Sequence, residues 1–469
     1  MTDPNMESFE LVAALATDAH RTGDLDAAET CWRQALALMP DHAGARHNLG
    51  VLLAQKGEAE AAIAEFDQVL AAFPEHARAH ANRAGALRAL GDMDGALAGY
   101  DAAIECDPDF LQAYSARGDA LFRWGRYDEA VQGYDEALAR EPNFYPALKG
   151  RALAALALGE ETAALDAFQR TQSLRAEFEL PPEEISLLKL RHDRDQLRWL
   201  GRFEEDAEVL DQLETVIQWP DDENETVPLE DMWPDILAPF FNQPVHIAPA
   251  ERVSKALSDD AVRMLDAADD STGVRVIDGL LCEEALERLR RSVLESTIWN
   301  DFTHIDGFVA TYLENGLASP LMLQIVGALR ETAAFRGLPL VQGWAFKGMT
   351  SAGRIGMHAD DAKLSVNFWI TPDDANLEPE HGGLIIHRAL PPEGWSLKNY
   401  DEDRGEIERW IAENDTDPVE IPYRANRAVI FDSRLFHGSG PVRFADGYEN
   451  RRINITLLFG YPQIEPDDV

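Results

Sequence analysis

The sequence predicts a multidomain chain in which an all-α solenoid of helical hairpins is followed by a β-sheet domain buttressed by helices. Two observations carry this prediction. The first third of the chain repeats itself every 34 residues, which is typical of stacked helical hairpins. After Gly343 the sequence breaks instead into several short runs rich in β-branched and aromatic residues, which are typical of a β-barrel or sandwich.

Composition is that of an ordinary globular protein long enough for two or three domains. The chain has 469 residues, of which 45% are apolar and 27% are charged. Its 84 acidic and 42 basic residues give a net charge of −42. This charge repels phosphate backbones and argues against a nucleic-acid partner. The acidic surface serves either solubility or the docking of cationic partners.

Cysteine usage and the absence of apolar runs predict a soluble cytoplasmic protein. Cys31, Cys106 and Cys282 are far apart and form no CxxC pair, which favours buried thiols in a reducing compartment. The first residues lack the basic and apolar regions of a signal peptide. No apolar run approaches the length of a membrane span, so we expect no membrane partner.

Four residue classes keep the 34-residue period together. Glycine permits the turn between two helices, alanine lets them cross closely, an aromatic ring fills the gap, and proline stops the second helix. The repeating positions are Gly23, Gly57, Gly91, Gly125 and Gly159; Ala28, Ala62, Ala96, Ala130 and Ala164; Trp32, Phe66, Tyr100, Tyr134 and Phe168; and Pro40, Pro74, Pro108 and Pro142.

This pattern resembles the tetratricopeptide repeat, in about five copies over residues 9–176. We therefore assign residues 1–176 to a repeat domain, and because the fifth copy has Ala176 in place of proline, we expect the array to fray there. The resemblance implies a concave face, lined by the first helix of each repeat, that binds extended peptides. Arg78, Arg88 and Lys149 fall at such positions. Self-association and scaffolding are the alternatives to peptide binding.

Residues 177–272 are predicted to form a helical cap and linker. Apolar spacing over 185–217, interrupted at Gly201, predicts one more helical hairpin. His192 and Asp193 within it are interpreted as part of a solvated polar face. The acidic stretch 219–228 has no periodicity and is predicted to be a loop or linker.

Residues 273–469 form the predicted sheet domain. A strand is expected from Val274, and helices are expected over 282–296 and 406–414, the latter as a substrate-facing insertion between two strands. The β-type runs cover residues 343–349, 364–371, 383–386, 428–431 and 453–459.

A candidate metal site lies at the head of the second of these runs. His358 and Asp360 are two residues apart, so an extended backbone projects both side chains to the same side. An imidazole and a carboxylate are two of the three ligands in a 2-His-1-carboxylate facial triad, an iron site that keeps coordination positions open. His437, which follows the run ending at Phe431, is the candidate third ligand.

Other histidines are weaker candidates. His304 and Asp306 fit the same HxD spacing, but no β run of the required length follows them. His381 and His387 flank the Gly382–Gly383 turn and are interpreted as surface or edge-strand residues, with substrate contact as the alternative.

Two arginines, Arg451 and Arg452, open the last β run. A guanidinium group at this position would bind a carboxylate of an α-keto diacid through two hydrogen bonds. The order of an HxD motif, a distal His and an Arg opening a strand resembles the Fe(II)/2-oxoglutarate-dependent dioxygenases, over roughly residues 273–463. The segments 368–372, 382–386 and 426–433 resemble strands of the prolyl hydroxylase-like and phytanoyl-hydroxylase-like branches.

The resemblance implies a double-stranded β-helix, or jelly roll, in which His358, Asp360 and His437 bind Fe(II). 2-Oxoglutarate would take two further positions on the metal, and O2 the last. In the family pattern, the arginine is followed by an apolar residue, a small polar residue and another apolar residue. Arg452 fits this pattern better than Arg451 does. Arg452 is therefore predicted to bind the carboxylate of 2-oxoglutarate that is far from the metal. The 15 residues from His437 to Arg452 exceed the family's usual spacing.

Ser365 and Asn367 are predicted to line the cosubstrate pocket. The alternative is that they are ordinary half-buried polar residues of a strand. Asp360 stands where the related halogenases carry a small residue, which favours hydroxylation. The leading hypothesis is a hydroxylase of a protein or peptide side chain that is recruited by the repeats. The alternatives are an oxygenase of a small molecule or lipid, with repeats used for assembly, and a non-catalytic scaffold with an inactive barrel.

Overall fold

The computed structural model describes residues 4–178, 184–228, 237, 240–267, 273–302, 307–349, 354–392, 404–414, 417–440 and 442–461. The chain divides into two compact units, Met1–Ala154 and Ala155–Val469. Among the described residues, no helix combines the length and the apolar character that crossing a membrane requires.

The predicted helical hairpins of the N-terminal region are confirmed. The helices are α1 (Pro4–Arg21), α2 (Leu25–Leu38), α3 (Ala43–Gln55), α4 (Ala59–Ala72), α5 (Ala77–Ala89), α6 (Met93–Cys106), α7 (Leu111–Arg123), α8 (Tyr127–Arg140), α9 (Tyr145–Ala157) and α10 (Glu161–Phe178). Each of the five repeating glycines, from Gly23 to Gly159, turns the chain with a φ between 74 and 81°. Side chains with a Cβ rarely adopt this conformation, which explains the period of the glycines.

The boundary between the units differs from the predicted repeat boundary. Without a proline at position 176, α10 does not end where its counterparts do and runs on to Phe178. It belongs to the second unit, where the buried Thr171 hydroxyl donates to the carbonyl of Glu314 (3.1 Å). The first unit ends at Ala154, within α9.

The helices that follow also belong to the second unit. They are α11 (Leu187–Leu200), α12 (Glu204–Val216), α13 (Asp259–Asp266), α14 (Glu283–Glu295), α15 (Pro320–Glu331) and α16 (Arg404–Asn414). The hairpin predicted over 185–217 is confirmed as α11 and α12, joined at Gly201 with a φ of 65°. The stretch predicted as a linker contains β2 (Thr226–Pro228), which pairs with β1 (Glu184–Ser186).

The expectation that His192 and Asp193 form a solvated face is wrong, because both are buried. The His192 ring lies 6.3 Å from that of Trp299 and 5.9 Å from that of Tyr448, centroid to centroid. Asp193 pairs with the buried ammonium group of Lys189. Trp299 and Tyr448, both distant in sequence from His192, pack α11 against the rest of the second unit.

Two antiparallel sheets form the rest of this unit. The strands are β3 (Val274–Asp278), β4 (Phe308–Tyr312), β5 (Leu340–Gly348), β6 (Leu364–Trp369), β7 (Leu384–Ile386), β8 (Val419–Ile421), β9 (Arg427–Asp432), β10 (His437–Ser439) and β11 (Ile453–Phe459). The large sheet has the order β3-β9-β6-β11-β5-β4, and the small sheet has the order β10-β7-β8. All the predicted β runs are confirmed, whereas β4, β8 and β10 were not predicted.

An apolar core joins the facing sides of the two sheets. Trp369, Val429 and Phe431 of the large sheet share a buried cluster with Leu384 and Ile386 of the small sheet. Strand register assigns polar residues of β6 and β11 to this same inner face, because directly paired residues point to the same side. The candidate site lies between the facing sides of the two sheets.

Candidate metal centre

A two-residue antiparallel bridge brings His358 and His437 together. The amide of His358 donates to the carbonyl of His437 (3.0 Å), and the amide of His437 donates to the carbonyl of His358 (2.8 Å). Paired residues project to the same side, so the two rings meet with centroids 4.3 Å apart. His437 also pairs with Ile386 of β7, whose side chain lies in the core between the sheets.

Both rings are held through Nδ1, which leaves Nε2 for a ligand. Nδ1 of His358 lies 2.9 Å from the carbonyl of Gly356, and Nδ1 of His437 lies 2.9 Å from the carbonyl of Leu435. A carbonyl only accepts hydrogen bonds, so Nδ1 carries the proton and Nε2 presents its lone pair. Metal-binding histidines are oriented in this way.

Asp360 completes the group. Its amide donates to the carbonyl of Ser433 (2.9 Å), and its Oδ2 accepts from the hydroxyl of Ser365 (3.0 Å). Oδ2 lies 3.4 Å from Nε2 of His437, and Oδ1 lies 3.9 Å from Nε2 of His358. One ligand atom from each of the three residues falls within 4.8 Å of the other two. Ser365, predicted to line the cosubstrate pocket, thus orients a candidate ligand.

The site is enclosed on the side of His437 and open on the side of His358. The side chain of His437 is 4% exposed, whereas that of His358 is 22% exposed. Phe431 packs edge-on against His437 with a centroid distance of 4.7 Å. Burial lowers the pKa of His437 to about 4, so its imidazole is neutral at pH 7.

Helix α16 supports the two histidines from behind. Its buried Ile407 and Ile411 pack on Met357, Ala359 and Phe436. These residues are chain neighbours of His358 and His437 and therefore point to the opposite face. The helix predicted over 406–414 was expected to face the substrate. In the structure, α16 instead packs behind the site, on the side opposite the two imidazoles.

Arg452 lies on the inner face of the large sheet, and no carboxylate in the described part of the chain forms an ion pair with it. It is 2% exposed, and its Nε donates to the carbonyl of Gly382 (2.8 Å). Both terminal nitrogens, Nη1 and Nη2, are buried and have no hydrogen-bond partner among the described residues. Burial lowers the pKa of Arg452 to about 10. A carboxylate would satisfy both nitrogens with the geometry that guanidinium prefers.

Arg451 has a different environment. It forms an ion pair with Asp195 of α11 and lies over the ring of Tyr448, its Cζ 5.5 Å from the centroid. Adjacent residues in an extended segment point to opposite faces, so Arg451 points away from the face that holds Arg452. The geometry favours Arg452 over Arg451 as a cosubstrate ligand.

A buried polar stripe continues from Arg452 along the inner face. Asn454 and Thr456 follow it at alternate positions of β11, and both hydrogen-bond to Oδ1 of Asn367 on β6. Oδ1 of Asn454 has no partner among the described residues. The structure thus places Asn367 on the predicted face, within a network that the sequence did not indicate.

The remaining histidine candidates lie elsewhere. His387 directly follows Ile386, so its side chain points away from the inner face on which His437 lies. His381 is exposed in the turn before β7. His304 and Asp306 lie outside the described residues.

The donor set fits a divalent transition metal. Two imidazoles and one carboxylate form the 2-His-1-carboxylate set that is typical of non-haem Fe(II). Three protein ligands leave coordination positions open. The metal-binding role of His358, Asp360 and His437 remains a prediction, because ligand geometry alone identifies no ion.

Comparison with known proteins concerns the repeats. No curated protein matches the sequence. MamA from Desulfovibrio magneticus is 17% identical, with 38% of this chain and 99% of that chain covered and a TM-score of 0.34. A thermophilic repeat protein from Thermus thermophilus is 21% identical, with 34% and 89% covered and a TM-score of 0.32. YrrB, a repeat protein with an unusual peptide-binding site, is 18% identical, with 38% and 95% covered and a TM-score of 0.30.

Sequence profiles of the tetratricopeptide repeat match residues 13–69, 59–109 and 100–132. They fall on the helical hairpins from α1 to α8 and confirm the repeat that the 34-residue period predicted. The N-terminal region of this chain is built of tetratricopeptide repeats, a module that typically binds protein or peptide partners.

Proposed function

We propose that the protein is an Fe(II)- and 2-oxoglutarate-dependent dioxygenase that hydroxylates a protein or peptide side chain recruited by its repeats. The observation that carries the proposal is that the facing sides of the two β-sheets hold two complementary features. One is a 2-His-1-carboxylate group, and the other is a buried arginine with no carboxylate partner among the described residues; each fits one of the two groups that such an enzyme binds.

His358, Asp360 and His437 would hold the metal. Their positions are set by the backbone bridge, by the carbonyl partners of Nδ1 and by the Ser365 hydroxyl, so little reorganisation is required for binding. Arg452 would pair with the distal carboxylate of 2-oxoglutarate. When bound, Fe(II) and 2-oxoglutarate supply an oxidising centre: O2 and 2-oxoglutarate yield CO2 and succinate, and one oxygen atom enters a C–H bond of the substrate.

Strand order supports a double-stranded β-helix for this unit. From β5 onward, consecutive parts of the chain alternate between the two sheets: β6 belongs to the large one, β7 and β8 to the small one, β9 to the large one, β10 to the small one and β11 to the large one. The segment at His358, between β5 and β6, bridges to β10. Such alternation between two facing antiparallel sheets is typical of jelly rolls.

The repeats would supply the substrate. Tetratricopeptide repeats bind protein or peptide segments, and a partner held by one part of a chain reaches a site on the same chain at a raised effective concentration. This favours a macromolecular substrate over a small molecule.

Succinate formation tests the proposal. The full chain is incubated with Fe(II), 2-oxoglutarate and O2, and succinate is measured by mass spectrometry. We expect slow metal-dependent succinate formation even without the substrate, and none with the Asp360→Ala variant. His381→Ala, which removes an exposed histidine outside the site, is the matched control and should retain the rate. A wild-type chain that binds Fe(II) but forms no succinate would indicate a scaffold with an inactive site.

A further inference from the structure

Lys347 is a buried lysine on the outer side of the large sheet. It pairs with Ile453 of β11, which points to the opposite side from Arg452 because neighbouring residues of a strand alternate. Its Nζ lies 3.5 Å from the ring centroid of Tyr448 and 4.8 Å from that of Trp299. Lys347 is 0% exposed, and its Nζ has no hydrogen-bond partner among the described residues. Lysine is almost never fully buried unless it is paired, so Lys347 is an exception.

Three neighbouring side chains also carry buried nitrogen atoms without a partner in the described part of the chain: Nε2 of His192, Nε of Arg290 and Nη1 of Arg451. His192 packs against the same two rings as Lys347, and Cζ of Arg451 lies 5.5 Å from the centroid of one of them. Nη2 of Arg290 donates to the carbonyl of Glu449 in the same region (3.0 Å). We call the four side chains His192, Arg290, Lys347 and Arg451 the Lys347 site.

The polarity of the three neighbouring nitrogens is defined. Nε of Arg290 and Nη1 of Arg451 are donors, since a guanidinium group has no acceptor. Nδ1 of His192 lies 2.9 Å from a carboxylate oxygen of Asp193, so Nδ1 carries the proton and Nε2 offers a lone pair. An anionic group on Nζ of Lys347 would satisfy both donors. It would also compensate Arg290, which forms no ion pair among the described residues.

The surroundings of Lys347 favour an unprotonated amine. Burial, and then the positive charges of Arg451 and Arg290, lower the pKa of Lys347 well below its ordinary value. An unprotonated amine has a lone pair on Nζ and is a nucleophile. CO2 is a small, uncharged and apolar electrophile. Local openings of a packed interior therefore admit CO2 more readily than they admit a larger or charged molecule.

We propose that Lys347 reacts reversibly with CO2 and that Arg290 and Arg451 hold the resulting carbamate. The lone pair of Nζ attacks the carbon of CO2, a C–N bond forms, and the electrons of one C–O π bond move to oxygen. One N–H proton passes to solvent, which leaves Lys–NH–COO⁻ without any oxidant or reductant. The carbamate oxygens accept from Nε of Arg290 and Nη1 of Arg451, and the remaining N–H donates to Nε2 of His192.

The two arginines lie at the edge of the Lys347 site that approaches the surface. The side chain of Arg451 is 15% exposed, and Arg290 is partly exposed, whereas Lys347 is fully buried. A carbamate that pairs with both arginines therefore extends from Nζ toward this edge. The Lys347 site is separate from the candidate metal centre, and the proposal does not depend on the proposed oxygenase reaction.

Chemical trapping with the full chain tests the proposal. The protein is equilibrated with isotopically labelled bicarbonate, which supplies dissolved CO2, and any carbamate is ethylated with a trialkyloxonium salt. Peptide mass mapping then locates the added ethoxycarbonyl group. We expect this group on Lys347 and not on Lys255, an exposed lysine that pairs with Asp259. Lys347→Met, which replaces the amine by an apolar chain, should lose the label at this position.

Two further variants test the arginines while retaining Lys347, and they remain informative even if Lys347→Met fails to fold. Arg290→Gln and Arg451→Gln should each raise the CO2 concentration for half-maximal labelling by about 10-fold, because a charge-assisted hydrogen bond is lost. Arg291→Gln is the matched control, because it removes the same charge from the same helix at an exposed position. It should change that concentration by less than about twofold.

Three results would overturn the proposal. The first is the absence of the ethoxycarbonyl group from Lys347 at saturating CO2, and the second is equal labelling of Lys255. The third is unchanged labelling in both Arg290→Gln and Arg451→Gln, which would remove the arginines from the site. The assay contains neither Fe(II) nor 2-oxoglutarate, so its outcome does not depend on that of succinate formation.

Discussion

The backbone carbonyls of His358 and His437 each accept a hydrogen bond from the backbone amide of the other residue. This two-residue bridge fixes both imidazoles on one face. The backbone, rather than side-chain packing alone, therefore sets the spacing of the two candidate ligands. Asp360 is tied to the same framework through the carbonyl of Ser433. Because backbone hydrogen bonds hold the three candidate ligands in place, we expect metal binding to stabilise the fold rather than create it.

The first prediction concerns that stabilisation. Addition of Fe(II) under anaerobic conditions, or of Mn(II) as a redox-stable substitute, should raise the free energy of unfolding by about 2.7 kcal/mol when the ion is at 100 times its dissociation constant. His437→Ala should abolish the increase, and His381→Ala should leave it intact. Denaturant unfolding with and without the ion measures it. An equal increase in His437→Ala would contradict the ligand assignment.

The second prediction separates the two arginines. Arg452→Met should prevent binding of 2-oxoglutarate and also raise the stability of the metal-free protein by about 1–3 kcal/mol, because it removes a buried charge that no carboxylate among the described residues pairs with. Arg451→Met should instead lower stability, since it removes the ion pair with Asp195, and should retain 2-oxoglutarate binding. Calorimetric titration and urea unfolding measure the two effects. The reverse pattern would exchange the roles of the two residues.

The third prediction concerns the buttress behind the histidines. Ile407 is fully buried against Met357 and Phe436, so Ile407→Ala should lower the free energy of unfolding by about 2–4 kcal/mol. Because these contacts flank His358 and His437, affinity for Mn(II) should fall as well. Leu377→Ala, an equal deletion at an exposed position, should affect neither quantity. Unchanged Mn(II) affinity in Ile407→Ala would exclude a positioning role for α16.

The fourth prediction is a pH dependence of stability. Burial lowers the pKa of His192 to about 3, against about 6.5 in an unfolded chain. Below pH 6.5 the unfolded state therefore binds a proton that the folded state does not. The free energy of unfolding consequently decreases as the pH is lowered. Between pH 6.5 and pH 5 this one group accounts for about 2 kcal/mol.

His192→Gln should reduce that loss, whereas His381→Gln, a change at an exposed histidine, should not. Urea midpoints at pH 7 and pH 5 for the three proteins measure it. An identical loss in wild type and His192→Gln would show that His192 is protonated in the folded protein.

Sequence patterns predicted the parts of this molecule that depend on local rules. The period of the glycines and prolines predicted the hairpins, because each turn has its own conformational requirement. Short runs of β-branched and aromatic residues predicted β6, β9 and β11, and the spacing of His358 and Asp360 required only an extended backbone.

The missed features depend on contacts between distant segments. β8 and β10 have only three residues each and are defined by their pairing with β7, not by their own pattern. His192 and Asp193 look solvated within α11 and are buried only because Trp299 and Tyr448 cover them. The role of Gly382 as the carbonyl partner of Arg452 likewise follows from tertiary packing.

Joint binding of metal and cosubstrate tests the central claim most directly. Fe(II) and 2-oxoglutarate are added to the full chain without O2, and the visible charge-transfer absorption of an Fe(II)–2-oxoglutarate complex is recorded. We predict that this absorption appears with wild type and with Arg451→Met, and that it is absent with Asp360→Ala and strongly reduced with Arg452→Met. Absence of the absorption in a wild-type chain saturated with Fe(II) and 2-oxoglutarate would contradict the account.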